Sequence, residues 1–214
     1  MGIRERRERE KARRREEILD AAEKLFETKG LAETTMDEIA ARAEISKATI
    51  YLYFKCKEHL YFGLDYRGSQ IENERFRLAV ASESVGLDQV LAIGRAYCQY
   101  GLDYPTYFWA KTRTGKVSPE LVQSLQDDPM AGPYQQLMME NHTILANAVE
   151  RGIGDGSIRP ELDTRTTSLV LWAEANGVVE LILTRGEILA QTLGRTPEMI
   201  IEGYIDSTKH SLKT

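Results

Sequence analysis

All six prolines of this chain, Pro105, Pro119, Pro129, Pro133, Pro160 and Pro197, stand between runs of helically spaced apolar residues, and none stands inside one. Proline lacks the N–H that an interior helical position must donate, so this placement leaves every run free to form an uninterrupted helix. Apolar residues recur at intervals of three and four nearly throughout, which predicts an all-α protein. Ile18, Leu19, Ala22, Leu25 and Phe26 mark a first helix, expected to close at Gly30 in a left-handed C-cap with Leu31 as its hydrophobic contact. Longer helices are expected over 58–81, 87–103, 106–114, 119–126, 133–152, 163–184 and 197–212.

Two shorter helices precede these. Thr35 and Glu38 form a capping box, and Met36, Ile39, Ala40 and Ala43 make one short amphipathic helix. Ser46 opens another after only a few residues, and Ala40 is small enough to let the two cross closely, as in a helix-turn-helix. The stretch SKATIYLYFKCKEHL, residues 46–60, is rich in β-formers, yet the helical reading explains it better. At 100° per residue Ile50 and Phe54 form a buried stripe, Ala48, Thr49 and Leu52 point outward, and Tyr51 and Tyr53 fall on opposite flanks. Small outward residues admit a base edge, and flanking phenols reach phosphates on either side of a groove. The Ser46 N-cap and Lys47 offer N–H groups and positive charge to a phosphate, while Lys55 and Lys57 add charge at the other end. The residue pattern alone suits amphipathic surface tyrosines and a solvated lysine face equally well.

Charge distribution bears on that choice. The 214 residues carry a net charge of −5, but residues 1–60 hold 14 Lys/Arg against 13 Asp/Glu, and the remainder 14 against 20. Residues 1–15 concentrate the positive charge in Arg4, Arg6, Arg7, Arg9, Lys11, Arg13, Arg14 and Arg15. This run is either an arm for the minor groove or a solvated extension of the first helix held by Glu5–Arg9 and Glu10–Arg14 pairs. No stretch approaches 18 consecutive apolar residues and the start is charged, so neither a membrane span nor a secretory signal is expected. Two cysteines, Cys56 and Cys98, make no disulfide framework and lack zinc-site spacing, which fits a cytoplasmic protein with free thiols.

The run ILDAAEKLFETKGLAETTMDEIAARAEISKATIYLYFKCKEHL, residues 18–60, resembles the DNA-binding region of TetR-family transcriptional repressors, whose members commonly read I-A-x-x-A-G-V-S-x-G-T-L-Y-x-Y-F-x-S-K-x-x-L. The resemblance implies a DNA-binding region over residues 1–57, comprising the basic arm and the helix-turn-helix, and a helical effector-binding and dimerisation domain over 58–214. It implies that Thr35 and the start of the second helix approach the DNA backbone, that Lys47, Ala48, Thr49, Tyr51 and Tyr53 form the recognition surface, and that Lys57 holds a phosphate. Glu44 and Ala48 replace glycines usual in the pattern, and Cys56 replaces a small polar residue. Family members bind small ligands between their later helices, which points to Tyr97, Tyr100, Tyr104, Phe108, Trp109, Tyr134, Met138, Trp172 and Asn176 as an effector pocket, although such residues are also ordinary core material. The expected protein is a homodimer that represses from an inverted-repeat operator on double-stranded DNA until a small molecule releases it. The competing reading is a helical protein-interaction adaptor without specific DNA binding.

Nothing points to an enzyme. His59, His142 and His210 form no nucleophile–base motif with the cysteines, and Cys56 with His59 supplies only two ligands, so no metal or cofactor is expected. A redox role for Cys56 would need Lys55 and Lys57 to lower its pKa.

Overall fold

A computed structural model describes residues 2–114, 122, 125 and 128–213, with Ile3, Arg113 and Thr114 in backbone only. Among them all regular structure is helical: α1 (Ile3–Lys29), α2 (Met36–Arg42), α3 (Lys47–Tyr53), α4 (Lys57–Ala81), α5 (Gly86–Asp103), α6 (Pro105–Thr114), α7 (Ala131–Gly154), α8 (Thr164–Leu193) and α9 (Pro197–Leu212). Of the helix expected over 119–126, only Val122 and Leu125 are described, and both are helical; Pro119 lies outside the described residues. The chain divides into two compact units, one of residues 1–68 with 106–133, the other of 69–105 with 134–214. The division falls inside α4 rather than at its start, and the first unit takes in α6.

In the first unit α2 packs against α1 and α3. Its core holds Ile18, Leu19, Ala22 and Phe26 from α1, Ile39 and Ala40 from α2, Ile50 from α3, and Phe54, Leu60 and Leu64 beyond it, all buried. A Cβ on Gly63 would lie 2.8 Å from a Leu19 methyl, so glycine lets α4 approach α1 closely. Arg67 of α4 joins the same two helices through Glu16, Asp20 and Glu23. α1 begins fifteen residues before its buried stripe, so the arginine-rich start is helix. Its ion pairs are not those expected: Arg13 bonds Glu10 and Glu17, and Arg14 bonds Glu17. Gly30 has φ 85° as expected, but its ψ of 156° is extended rather than left-handed helical, a combination open essentially to glycine alone.

In the second unit α5 packs on α8 and α9, and those two on each other. Gly101 permits the α5–α8 crossing, since a Cβ there would lie 2.4 Å from Val179. The start of α5 is satisfied from the α7–α8 connection: Asp155 accepts from Gly86 N–H at 2.7 Å and Ser157 Oγ from Leu87 N–H at 3.1 Å. Asp163 caps α8, which runs nine residues past its expected end to a left-handed C-cap at Gly194; Thr196 and Pro197 then open α9. α8 reaches a mean hydropathy of 1.2 over its most apolar 18 residues, long and apolar enough to cross a membrane, with 28% of that window buried. It nevertheless carries Arg165, Glu174, Glu180 and Arg185.

Candidate nucleic-acid interface

The two short helices are set by their ends. Thr35 Oγ1 accepts from Glu38 N–H at 3.3 Å while the Glu38 carboxylate accepts from Thr35 N–H at 2.9 Å, completing the capping box. At the other end of α2, Glu44 N–H donates to Ala41 O and Ile45 N–H to Ala40 O, the paired bonds of a Schellman motif, with Glu44 at φ 54° in its left-handed position. The turn therefore keeps the geometry a glycine would give and carries the strain of a side chain there. Ser46 Oγ then accepts from Thr49 N–H at 3.1 Å and starts α3.

On α3 the expected outward residues Ala48 and Leu52 are exposed, Leu52 by 72%, with Lys47, and Ile50 is fully buried. Thr49, expected outward, is half-buried like Tyr53, while Tyr51, expected on a flank, is exposed. Phe54 is buried too, but as the extended C-cap rather than one helical turn after Ile50, because α3 stops at Tyr53. Lys47 bonds Asp37 of α2 at 2.9 Å, a pair exposed on both sides and hence weak and easily exchanged for a phosphate. Lys57 differs. Its ammonium donates to the carbonyls of Leu31, Ala32 and Thr34 at 2.9 to 3.0 Å, so all three of its hydrogens brace the turn leading into Thr35.

A buried charged cluster underlies the end of α3. Arg15 places its guanidinium 4.4 Å above the Phe54 ring, donates to Tyr53 O at 3.3 Å and to Asp128 Oδ2 at 2.7 Å. His59 Nε2 lies 2.5 Å from the same carboxylate oxygen, and Met130 N–H donates to the other at 2.8 Å. Lys55 N–H points at His59 Nδ1 from 3.4 Å, so the arrangement suits Nε2–H as the donor to Asp128. Burial pushes the Asp128 carboxyl up, but the bonds from His59 and Met130 and the charge of Arg15 outweigh it and hold the group at about 2. Spacing along the chain gave no hint of this cluster. Cys56 runs against expectation: burial, the largest influence, pushes its thiol up, so the neighbouring lysines do not make it a ready thiolate. No group of three metal-ligating side chains occurs among the described residues.

Residues 18–64, which span this whole arrangement, match the family model of bacterial regulatory proteins of the tetR family. The HTH-type transcriptional regulator EthR of Mycolicibacterium smegmatis (strain ATCC 700084 / mc(2)155) is 31% identical over 154 residues, covering 70% of this chain and 67% of that protein. The chain belongs to the TetR family. It is also similar to the HTH-type transcriptional regulator TtgR of Pseudomonas putida, 27% identical over 77% of this chain and 78% of that one. Among solved structures, the transcriptional regulator FadR from Bacillus subtilis in complex with stearoyl-CoA superposes with a TM-score of 0.69 at 18% identity, covering 91% of this chain and 97% of that one. As a TetR-family member it is a DNA-binding transcriptional regulator, all-helical, with an N-terminal helix-turn-helix.

The residues named for an effector pocket divide between the units of this TetR-family chain. Phe108 and Trp109 fall in the first, edge to face with ring centroids 5.4 Å apart. The others fall in the second, where Tyr97, Tyr100 and Tyr104 form a ladder along α5 with centroids 5.9 to 6.2 Å apart. Tyr97 OH donates to Asn176 Oδ1 at 2.8 Å, and Trp172 meets His142 edge to face at 5.7 Å. Met138 accepts from Ser69 Oγ at 3.7 Å. Tyr134 is half-buried near the start of α7. Asn141, a further polar candidate, accepts at Oδ1 from Asn73 Nδ2 at 2.7 Å with both residues buried, and it is Asn73 and this pairing that sequence reasoning missed.

Proposed function

We propose that the chain is a homodimeric repressor that binds an inverted-repeat operator through α3 and leaves it when a small molecule occupies the second unit. The observation that carries the DNA-reading part is the outer face of α3: an exposed Ala48 and Lys47 between Thr49, Tyr51 and Tyr53, on a helix locked by Ser46 at one end and by Arg15 at the other. Such a face lets backbone and side chains approach base edges while the flanking groups engage phosphates. Thr35 and Ser46 present helix N-termini to the backbone, and Lys57 keeps the turn before Thr35 in place.

Exposed Val170, Leu181 and Ile188 of α8, with Met199 of α9, supply an apolar surface for a second copy, and a two-fold dimer gives each half-site one recognition helix. The adaptable aromatic and methionine lining of the second unit suits a mostly apolar effector held by a few polar groups such as Asn176. In this reading the protein works in the cytoplasm, without cofactor, metal or catalysis. Selection from random duplex DNA at moderate salt tests it. Enrichment of an inverted repeat is the expected result, and recovery of no common sequence would transfer the assignment to a protein-interaction adaptor.

A further inference from the structure

α1 continues about 22 Å beyond its last fully buried residue toward the N-terminus, Ile18, taking 1.5 Å per residue back to Ile3. A free-standing, fully solvated extension has no reason to sort its charges by face. This one does. Turning 100° per residue, Arg4, Arg7, Lys11 and Arg14 all fall within about 40° of the direction of Ile18, and no acidic residue does. All the acidic residues, Glu5, Glu8, Glu10, Glu16 and Glu17, lie on the other faces with Arg6, Arg9 and Arg13, and there Glu10 and Glu17 neutralise Arg13 while Glu17 also takes Arg14. Arg4, Arg7 and Lys11 make no ion pair among the described residues. The face that α1 buries downstream thus becomes a row of unneutralised cations upstream.

A second observation locates that row. Lys11, Ala12 and Arg15 line one cleft with Leu52, Tyr53 and Lys55, which end α3 and follow it; of its acidic residues Asp128 is paired with Arg15 and Glu16 with Arg67, and Glu8 lies about 80° from the direction of Ile18. The row therefore starts beside the C-terminal end of the recognition helix and runs outward from it.

We propose that Arg4, Arg7 and Lys11 form a helical phosphate clamp that grips the DNA backbone flanking each half-site without reading sequence. This rests on the DNA-binding reading above. A helix with its side chains is about 10–12 Å across and the minor groove about 6 Å wide, so an extension that stays helical contacts the phosphate rows and does not enter that groove. Residues 61–214 carry six more acidic than basic side chains, so the cationic row also offsets the repulsion that DNA exerts on the acidic remainder.

The test uses the full chain and its selected operator, with binding followed by fluorescence anisotropy across a series of salt concentrations. Arg4→Gln/Arg7→Gln/Lys11→Gln is expected to flatten the log–log salt slope by about 0.9 per contact, about 2.7 per protomer in all, with half-site preference unchanged. Arg6→Gln/Arg9→Gln, on the other faces of the same helix, is expected to leave the slope nearly as it was. Circular dichroism checks that both variants keep their helix. An unchanged slope in the triple variant, or an equal loss per charge in both variants, overturns the clamp while leaving operator binding intact. Failure of the unaltered protein to bind any duplex overturns the DNA reading instead.

Discussion

The two units hold their helices together with different chemistry. In the first, a charged cluster is buried: Asp128 pairs with Arg15 and accepts from His59, and Arg67 adds a half-buried tie to Glu16, Asp20 and Glu23. In the second, ion pairs such as Arg75 with Asp103 and Arg95 with Glu202 lie nearer the surface, while the interior ties between Asn73 and Asn141, Tyr97 and Asn176, and Ser69 and Met138 are neutral. The difference matches what each unit has to do. A buried charge tolerates few rearrangements, because losing its partner leaves an uncompensated ion, so a charged cluster holds α3 in one position. Neutral amides, phenols and thioethers exchange partners at lower cost, which suits the repacking that the effector binding proposed above would require.

Asp128→Ala should show the largest effect. It leaves Arg15 and His59 facing a vacated site, and a loss of about 3–5 kcal/mol in urea unfolding is expected. A loss below about 1 kcal/mol would mean that water solvates the cluster and that the contrast between the units is false. Acid addresses the same cluster. The Asp128 carboxyl titrates at about 2 in the folded chain and near 3.9 when unfolded, so its stabilisation is complete above about pH 4 and disappears as the pH falls toward 2. About 2 kcal/mol should be lost across that window, and Asp128→Asn should flatten the pH dependence there.

The neutral side of the comparison is tested by Asn73→Leu, which strands the Asn141 carbonyl and should cost about 1–3 kcal/mol. The double change Asn73→Leu/Asn141→Leu removes both partners and should recover most of that loss. A matching rescue of the charged cluster would need all three of its residues replaced together. If the double variant is as unstable as the sum of the singles, the second unit is no more adaptable than the first.

What could be read in advance follows from chain distance. The capping box at Thr35, the N-cap at Ser46 and the buried Ile50 depend on residues within one or two turns, and local spacing shows them. So does the all-helical fold, because each described proline stands between helices or in the first turn of one. The Arg15–Asp128 contact joins residues 113 apart, and His59 is 69 from Asp128; no periodicity encodes such pairs. The expected Glu5–Arg9 and Glu10–Arg14 pairs did obey helical spacing, but Arg13 competes for Glu10 from one residue nearer. The resemblance implied a phosphate for Lys57, and no local pattern showed that its ammonium also meets three carbonyls that only the folded turn assembles. In the second unit the tyrosines of α5 and Asn176 of α8 were legible as candidate pocket residues, but the bond that Tyr97 makes to Asn176, 79 residues on, was not.

The smallest expected effect concerns the turn between α2 and α3. Glu44 already adopts the left-handed conformation that a glycine takes, so the α2–α3 geometry is not what its side chain changes. What it changes is strain, about 1 kcal/mol for a residue with a Cβ at that φ, offset in part by the greater freedom glycine has when unfolded. Glu44→Gly should therefore stabilise the chain by somewhat under about 1 kcal/mol and leave half-site preference as it is. Ala48→Gly, on the outer face of α3, should do the reverse: little change in stability beyond the cost of a helical glycine, and a shift in which base is preferred beside it. A changed preference in the Glu44 variant would show that the turn, and not only the helix it positions, takes part in reading the operator.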